Sequence, residues 1–132
     1  MKKNITTSCL VLLSLFILSG CSKIYIALGD KNMEQLQYVK AAKNYEKAVA
    51  KKSNNVAQKK LANTYRLMND TKKGLHAYAK VINQSNAEPI DRFYYAQMLI
   101  ANKKHSEAAT VLREYIKSNP GDKMAESMLK SC

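Results

Sequence analysis

The stretch "KKLANTYRLMNDTKKGLHAYAKVI", Lys59–Ile82, holds two helical patterns separated by a break. Leu61, Tyr65 and Met68 fall at intervals of three and four residues, which puts their side chains on one face of a helix. Asn69-Asp70 interrupts the pattern with two residue types that favour turns. A second pattern follows, marked by Gly74, Tyr78 and Val81. The stretch reads as a helix hairpin, and most of the chain can be laid over it. Leu28-Gly29, Leu61-Ala62 and Tyr95-Ala96 recur at intervals of 33 and 34 residues. Ala41, Gly74 and Ala108 recur at the same intervals, and so do Tyr45, Tyr78 and Leu112. Further turns are signalled at Ser53–Asn55, Gln84–Pro89 and Asn119–Asp122, with Pro89 suited to the first turn of a helix, where its missing N–H costs nothing. Helices are expected near 23–36, 38–52, 55–68, 71–85, 89–102 and 105–118, and a short one near 122–131.

A period of about 34 residues with two helices per unit resembles the tetratricopeptide repeat. The resemblance runs residue by residue. Small residues that let paired helices approach stand at Gly29, Ala62 and Ala96, and at Ala41, Gly74 and Ala108. Large apolar residues stand at Tyr45, Tyr78 and Leu112, followed by Ala48, Val81 and Tyr115 where alanine is usual. Pro120 fills the proline position closing a unit; Ser53 and Asn86 depart from it. The resemblance implies an all-α solenoid of three helix pairs, with repeats at about 23–53, 55–86 and 89–120, and a short C-terminal helix. In such a stack each pair covers the apolar face of the next, so its tyrosines are expected in the core.

The amino terminus reads differently. Lys2 and Lys3 precede an apolar run, Cys9–Leu18, that is too short to span a bilayer, for which about 20 residues are needed. Ser19 and Gly20 are small, and the whole has the form of a secretory signal peptide over residues 1–20. Leu18-Ser19-Gly20-Cys21 resembles the lipobox of bacterial lipoproteins. That resemblance implies cleavage before Cys21, a diacylglyceryl thioether on its sulfur and an acylated amine, with residues 21–22 as the anchor site. A thiolate is the natural nucleophile for such an attachment, and more than one acyl chain holds a protein stably on a membrane. Ser22 after the cysteine implies sorting to the outer membrane, facing the periplasm. No other cofactor is expected.

The order lipobox, "ALGDKNMEQLQYVKAAKNYEKAV", "KKLANTYRLMND" and final "MLKSC" is similar to the amino-terminal repeat region of OmpA-family lipoproteins of the Bacteroidota, some of which serve type IX secretion and gliding. The propeller and wall-binding domains of that family are not in this sequence. A truncated product or a stand-alone relative is the expectation, and cell-wall binding does not carry over.

Composition narrows the function. The formal charge of +12 falls to +10 if Lys2 and Lys3 leave with the signal. An exported address points the basic balance to anionic head groups, lipopolysaccharide or an acidic protein, and not to nucleic acid. Cys132 would be the one free thiol, so no internal disulfide framework is expected. His76 and His105 stand alone, no Gly-rich phosphate loop is present, and Glu88 and Asp91 flank a helix start. The chain is read as no enzyme, without catalytic or metal-binding residues.

Tetratricopeptide stacks usually bind along the face built from the first helix of each pair. Carried onto this chain, that face comprises Ile26, Asp30 and Met33, then Val56, Lys59, Asn63 and Arg66, then Ile90, Phe93, Gln97 and Ile100. Phe93 with Ile90 and Ile100 is read as an exposed apolar hot spot, with cover by the terminal helix or by a missing next repeat as the alternative. Lys59 and Asn63 match the start of the family's carboxylate clamp, but Tyr94 stands where a further asparagine is required. The implied function is a lipid-anchored periplasmic scaffold that holds an envelope protein, in secretion or gliding machinery. The alternatives are a pilotin-like assembly factor and a basic tether to wall or lipopolysaccharide. Neither the partner nor the oligomeric state follows from the sequence.

Overall fold

The structure, a computed structural model, describes residues 21–51 and 53–132. The signal-peptide segment, residues 1–20, lies outside the described residues. Among those described there is no strand. Helix α1 covers 21–34 and is followed by α2 (Tyr38–Lys51), α3 (Asn55–Leu67), α4 (Thr71–Val81), α5 (Pro89–Ala101), α6 (His105–Ser118) and α7 (Lys123–Lys130). The chain divides into two compact units, Met1–Ala57 and Gln58–Cys132.

In the first unit α1 and α2 pair through small residues. Gly29 lies against the ring of buried Tyr45, and a Cβ there would overlap three of the ring's carbons. The Tyr45 hydroxyl donates to Asp30 Oδ1 at 2.6 Å. Burial, that hydrogen bond and the Asp30 charge all raise the tyrosine pKa, so it stays a neutral donor. One turn from the other end, Ser22 Oγ donates to the Ala48 carbonyl at 3.1 Å. Ala41, Ala42, Tyr45 and Ala48 form the inward stripe of α2.

In the second unit α4 packs on α5, α5 on α6 and α6 on α7. Its apolar centre is Phe93, Ala96, Leu112, Tyr115 and Ala125, with Ile100, Met128 and Leu129 packed around it. The eight-residue α7 thus closes the end of α5–α6 with Ala125, Met128 and Leu129, while Met124 remains exposed. Asp122 holds α7 in place. Its carboxylate accepts from the Met124 and Ala125 N–H groups at 3.0 and 3.1 Å and from the Tyr115 hydroxyl at 2.9 Å. The Ala125 N–H, then the Tyr115 hydroxyl, then the Met124 N–H keep the Asp122 carboxyl below its ordinary value of 3.8. A depressed carboxyl stabilises the fold above its unfolded pKa and stops doing so as pH falls through its folded one. Amide protection of Met124 and Ala125, followed by NMR, should therefore hold from neutrality to near 3.8 and decline below it. Asp122→Asn, which keeps a capping oxygen, should flatten that dependence; an unchanged acid limb would refute the assignment.

Each first helix of a pair ends in the same corner. Leu36, Asn69 and Lys103 have φ of 56°, 55° and 61°, in the left-handed region. Beyond them Gln37, Asp70 and Lys104 donate N–H bonds back to Asn32, Tyr65 and Leu99, and the corner residues themselves donate to Met33, Arg66 and Ile100. These paired bonds are the Schellman closure, usually made with glycine.

Candidate partner-binding face

Lys59, Asn63 and Arg66 stand at i, i+4 and i+7 of α3, one stripe of that helix. All three belong to the second unit, and so does the whole of α5. Lys59 Nζ lies 2.9 Å from Asp91 Oδ2, 3.3 Å from Glu88 Oε2 and 3.3 Å from the Asn86 carbonyl oxygen. An ammonium has three N–H donors, so each has a place inside the fold. Burial by itself would lower the lysine pKa; the hydrogen bonds to Asp91 and Glu88 outweigh it and raise it. Asp91 is 5% exposed and also accepts the Glu88 N–H at 2.8 Å, which ties the pair to the first turn of α5 behind Pro89. The Lys59 charge is thereby answered by its own chain.

Arg66 is differently placed. Its guanidinium carbon sits 4.1 Å from the centre of the Tyr94 ring. Nε and Nη2 donate to Asn63 Oδ1 at 3.2 and 2.7 Å. Tyr94 in turn is braced by Tyr78, 6.0 Å between ring centres, and by Phe93 at 5.8 Å in an edge contact. Burial pushes the Tyr78 hydroxyl up to about 12, against the pull of the Arg66 charge and hydrogen bond, so at neutral pH it is an uncharged partner. Among the described residues no carboxylate forms an ion pair with Arg66. A guanidinium carries five N–H donors in a rigid fork. With Nε and one Nη2 proton given to Asn63 and a further donor to the Tyr78 hydroxyl, two of the five N–H donors are left without a named acceptor. The outcome is a cation held flat on an aromatic plate, stiff and half-buried.

The other expected residues are distributed unevenly. Ile90 is exposed and Gln97 half-buried, both on α5. Phe93 is not an exposed aromatic. It is 6% exposed and lies among Ala96, Leu112, Tyr115 and Ala125, its ring 5.5 Å from that of Tyr115. Ile100 packs against the same cluster, half-buried. The physical reason is α7, whose apolar side chains supply the cover. Val56 is exposed at the start of α3, and Met33 is half-buried on α1; both fall in the first unit. Ile26 and Asp30 are half-buried, Asp30 serving Tyr45. Tyr94 was read from sequence only as a missing asparagine. Its one signal was an aromatic residue at that same position, open to a cation on the neighbouring helix.

Among the described residues no group of three or more His, Cys, Asp and Glu is placed to hold a metal. His76 and His105 are both exposed. No described helix is long and apolar enough to cross a membrane.

A model of the family described as "Anaphase-promoting complex, cyclosome, subunit 3" matches residues 34–115. The fold is similar to the Arabidopsis OM64 TPR domain, with a TM-score of 0.70 and 16% identity over 85% of this chain and 93% of that one. It is similar also to the Yersinia enterocolitica type III secretion chaperone SycD in complex with a peptide of the translocator YopD. There the TM-score is 0.69 and the identity 16%, over 83% of this chain and 89% of that one. A second SycD structure from the same organism gives 0.63 and 20% identity, over 86% and 91%. At such identities the likeness carries the fold. No curated protein matches the sequence.

Proposed function

The chain belongs to this tetratricopeptide-like repeat family, and from that premise we propose that it is a lipid-tethered scaffold that holds a protein partner through an acidic group. The observation that carries the reading is the Arg66 guanidinium, set over the Tyr94 ring and fixed by Asn63, with N–H donors beyond those given to Asn63 and Tyr78. Arginine in a prearranged fork suits a carboxylate, which it can meet with two parallel hydrogen bonds. Lys59, saturated by Asp91 and Glu88, contributes shape and stability to the site instead of a ligand contact. Ile90, exposed on α5, offers an apolar rest for a neighbouring side chain. A peptide of YopD lies in complex with SycD, so a protein of this fold accepts a peptide.

The proposal includes the anchor: Cys21 acylated after cleavage, and the domain held on the periplasmic side of the outer membrane. Secretion or gliding machinery is the assembly that the resemblance to Bacteroidota lipoproteins suggests. Mass spectrometry of the amino-terminal peptide tests the anchor, and an unmodified Cys21 would remove it. Fluorescence anisotropy with short acidic peptides tests the face. Arg66→Ala should weaken binding about tenfold or more, the range for a hydrogen bond to a charged group. Tyr94→Ala should weaken it less, and Lys59→Met should lower stability more than affinity. If Lys59→Met abolishes binding in a folded protein while Arg66→Ala leaves it intact, the assignment is reversed.

A further inference from the structure

The side of α1 turned away from α2 carries exposed aliphatic side chains among its charged ones. Ser22 and Gly29 point towards α2. Opposite them stand Ile24, 61% exposed, and Leu28, 44% exposed. Cys21, Ile24 and Leu28 are spaced i, i+3 and i+7, so they form one stripe along the first two turns. Lysines flank it, Lys23 beside Ile24 and Lys31 one turn beyond Leu28, both exposed, with one exposed carboxylate, Glu34, a further turn on. Aliphatic side chains bordered by cations, on the helix that starts at the attachment cysteine, match the boundary between acyl chains and anionic head groups.

We propose that this stripe of α1 lies on the surface of an anionic phospholipid bilayer and sets the orientation of the domain on the membrane. The inference rests on the proposed acylation of Cys21 for its strength. Two partly exposed aliphatics and two lysines make too small a footprint to hold a protein on vesicles for long. Once a lipid on Cys21 has brought the helix to the bilayer, the same contacts need only act at high local concentration. The acyl chains leave the helix on the side that carries Ile24 and Leu28, so insertion and docking turn α1 the same way. The lysine flanks choose an anionic leaflet over a neutral one.

The protein contains no tryptophan, so a single one makes a clean reporter. The full chain carrying Leu28→Trp is placed in vesicles of phosphatidylethanolamine and phosphatidylglycerol with brominated acyl chains. Emission should fall by about half relative to unbrominated vesicles, as for a side chain at the head-group boundary. Val39→Trp, exposed on α2 of the same unit and off its inward stripe, should not change. Adding Ile24→Asp to Leu28→Trp should restore emission, and circular dichroism keeps misfolding out of that comparison, since Ile24 is exposed. Acylated Cys21 with unquenched Leu28→Trp would overturn the stripe and leave the anchor standing. Quenching with unmodified Cys21 would remove the anchor and overturn the stripe's dependence on it. Absence of both would remove both. A blue-shifted tryptophan in detergent without vesicles, at twice the chain's mass in sedimentation, would assign the stripe to a second copy and overturn the proposal.

Discussion

Phe93→Ala should lower the stability of the chain by about 3–5 kcal/mol, the range for deleting a large aromatic from a packed core. The ring lies between Tyr94 and Tyr115 and is covered by residues of α6 and α7. A cavity there would loosen α7, which has only eight residues with which to hold on. Urea unfolding followed by circular dichroism reads the loss, and a change within about 0.5 kcal/mol, the size of a typical surface substitution, would contradict the burial. Phe93→Glu, which a reading of the residue as an exposed hot spot would choose to test binding, should unfold the second unit. Lost binding in that variant would report a collapsed core and not a severed contact.

The second large effect is expected at Asp91. Asp91→Ala removes the nearest anion from Lys59, whose side chain is 22% exposed, and strips the Glu88 N–H of its acceptor. Removing one member of a buried pair costs about 3–5 kcal/mol when nothing else answers the remaining charge. Here Glu88 and the Asn86 carbonyl remain, so about 2–3 kcal/mol is expected. Glu88→Ala, at a side chain 66% exposed, should cost less than about 1 kcal/mol. If the two variants lose equal stability, the burial of Asp91 is not what gives the pair its strength. The lysine has a raised folded pKa, so its contribution is whole below its ordinary 10.5 and fades as pH rises through the folded value.

The helices were legible because tyrosines and small residues repeat in phase, and helical spacing fixes which side each takes. The break at Asn69-Asp70 was legible for the same reason. The end of α4 was not. It stops at Val81, short of the expected 85, where a run of polar residues offers the backbone other partners, as when Asn83 Nδ2 turns back to the Ala79 carbonyl at 2.8 Å. On the face, the i, i+4, i+7 stripe of Lys59, Asn63 and Arg66 could be read directly from α3. What those residues meet could not, because Asp91, Glu88 and Tyr94 come to them across a gap in sequence that periodicity does not bridge. Phe93 and Tyr94 are adjacent aromatics on α5, and one turns inward while the other carries a cation. Phe93 is turned inward by α6 and by α7, whose helix was legible near 122–131 but whose docking through Asp122 and Tyr115 was not.

The corners at Leu36, Asn69 and Lys103 have a further consequence. A hydrocarbon, an amide and an ammonium occupy one geometric place, each at a conformation that costs an ordinary residue about 1–2 kcal/mol. The same pair of backbone bonds closes each bend, which frees the apex residue to differ from one corner to the next. A string of near-identical hairpins thereby acquires three unlike tips, a means of telling one unit from the next without disturbing the packing beneath.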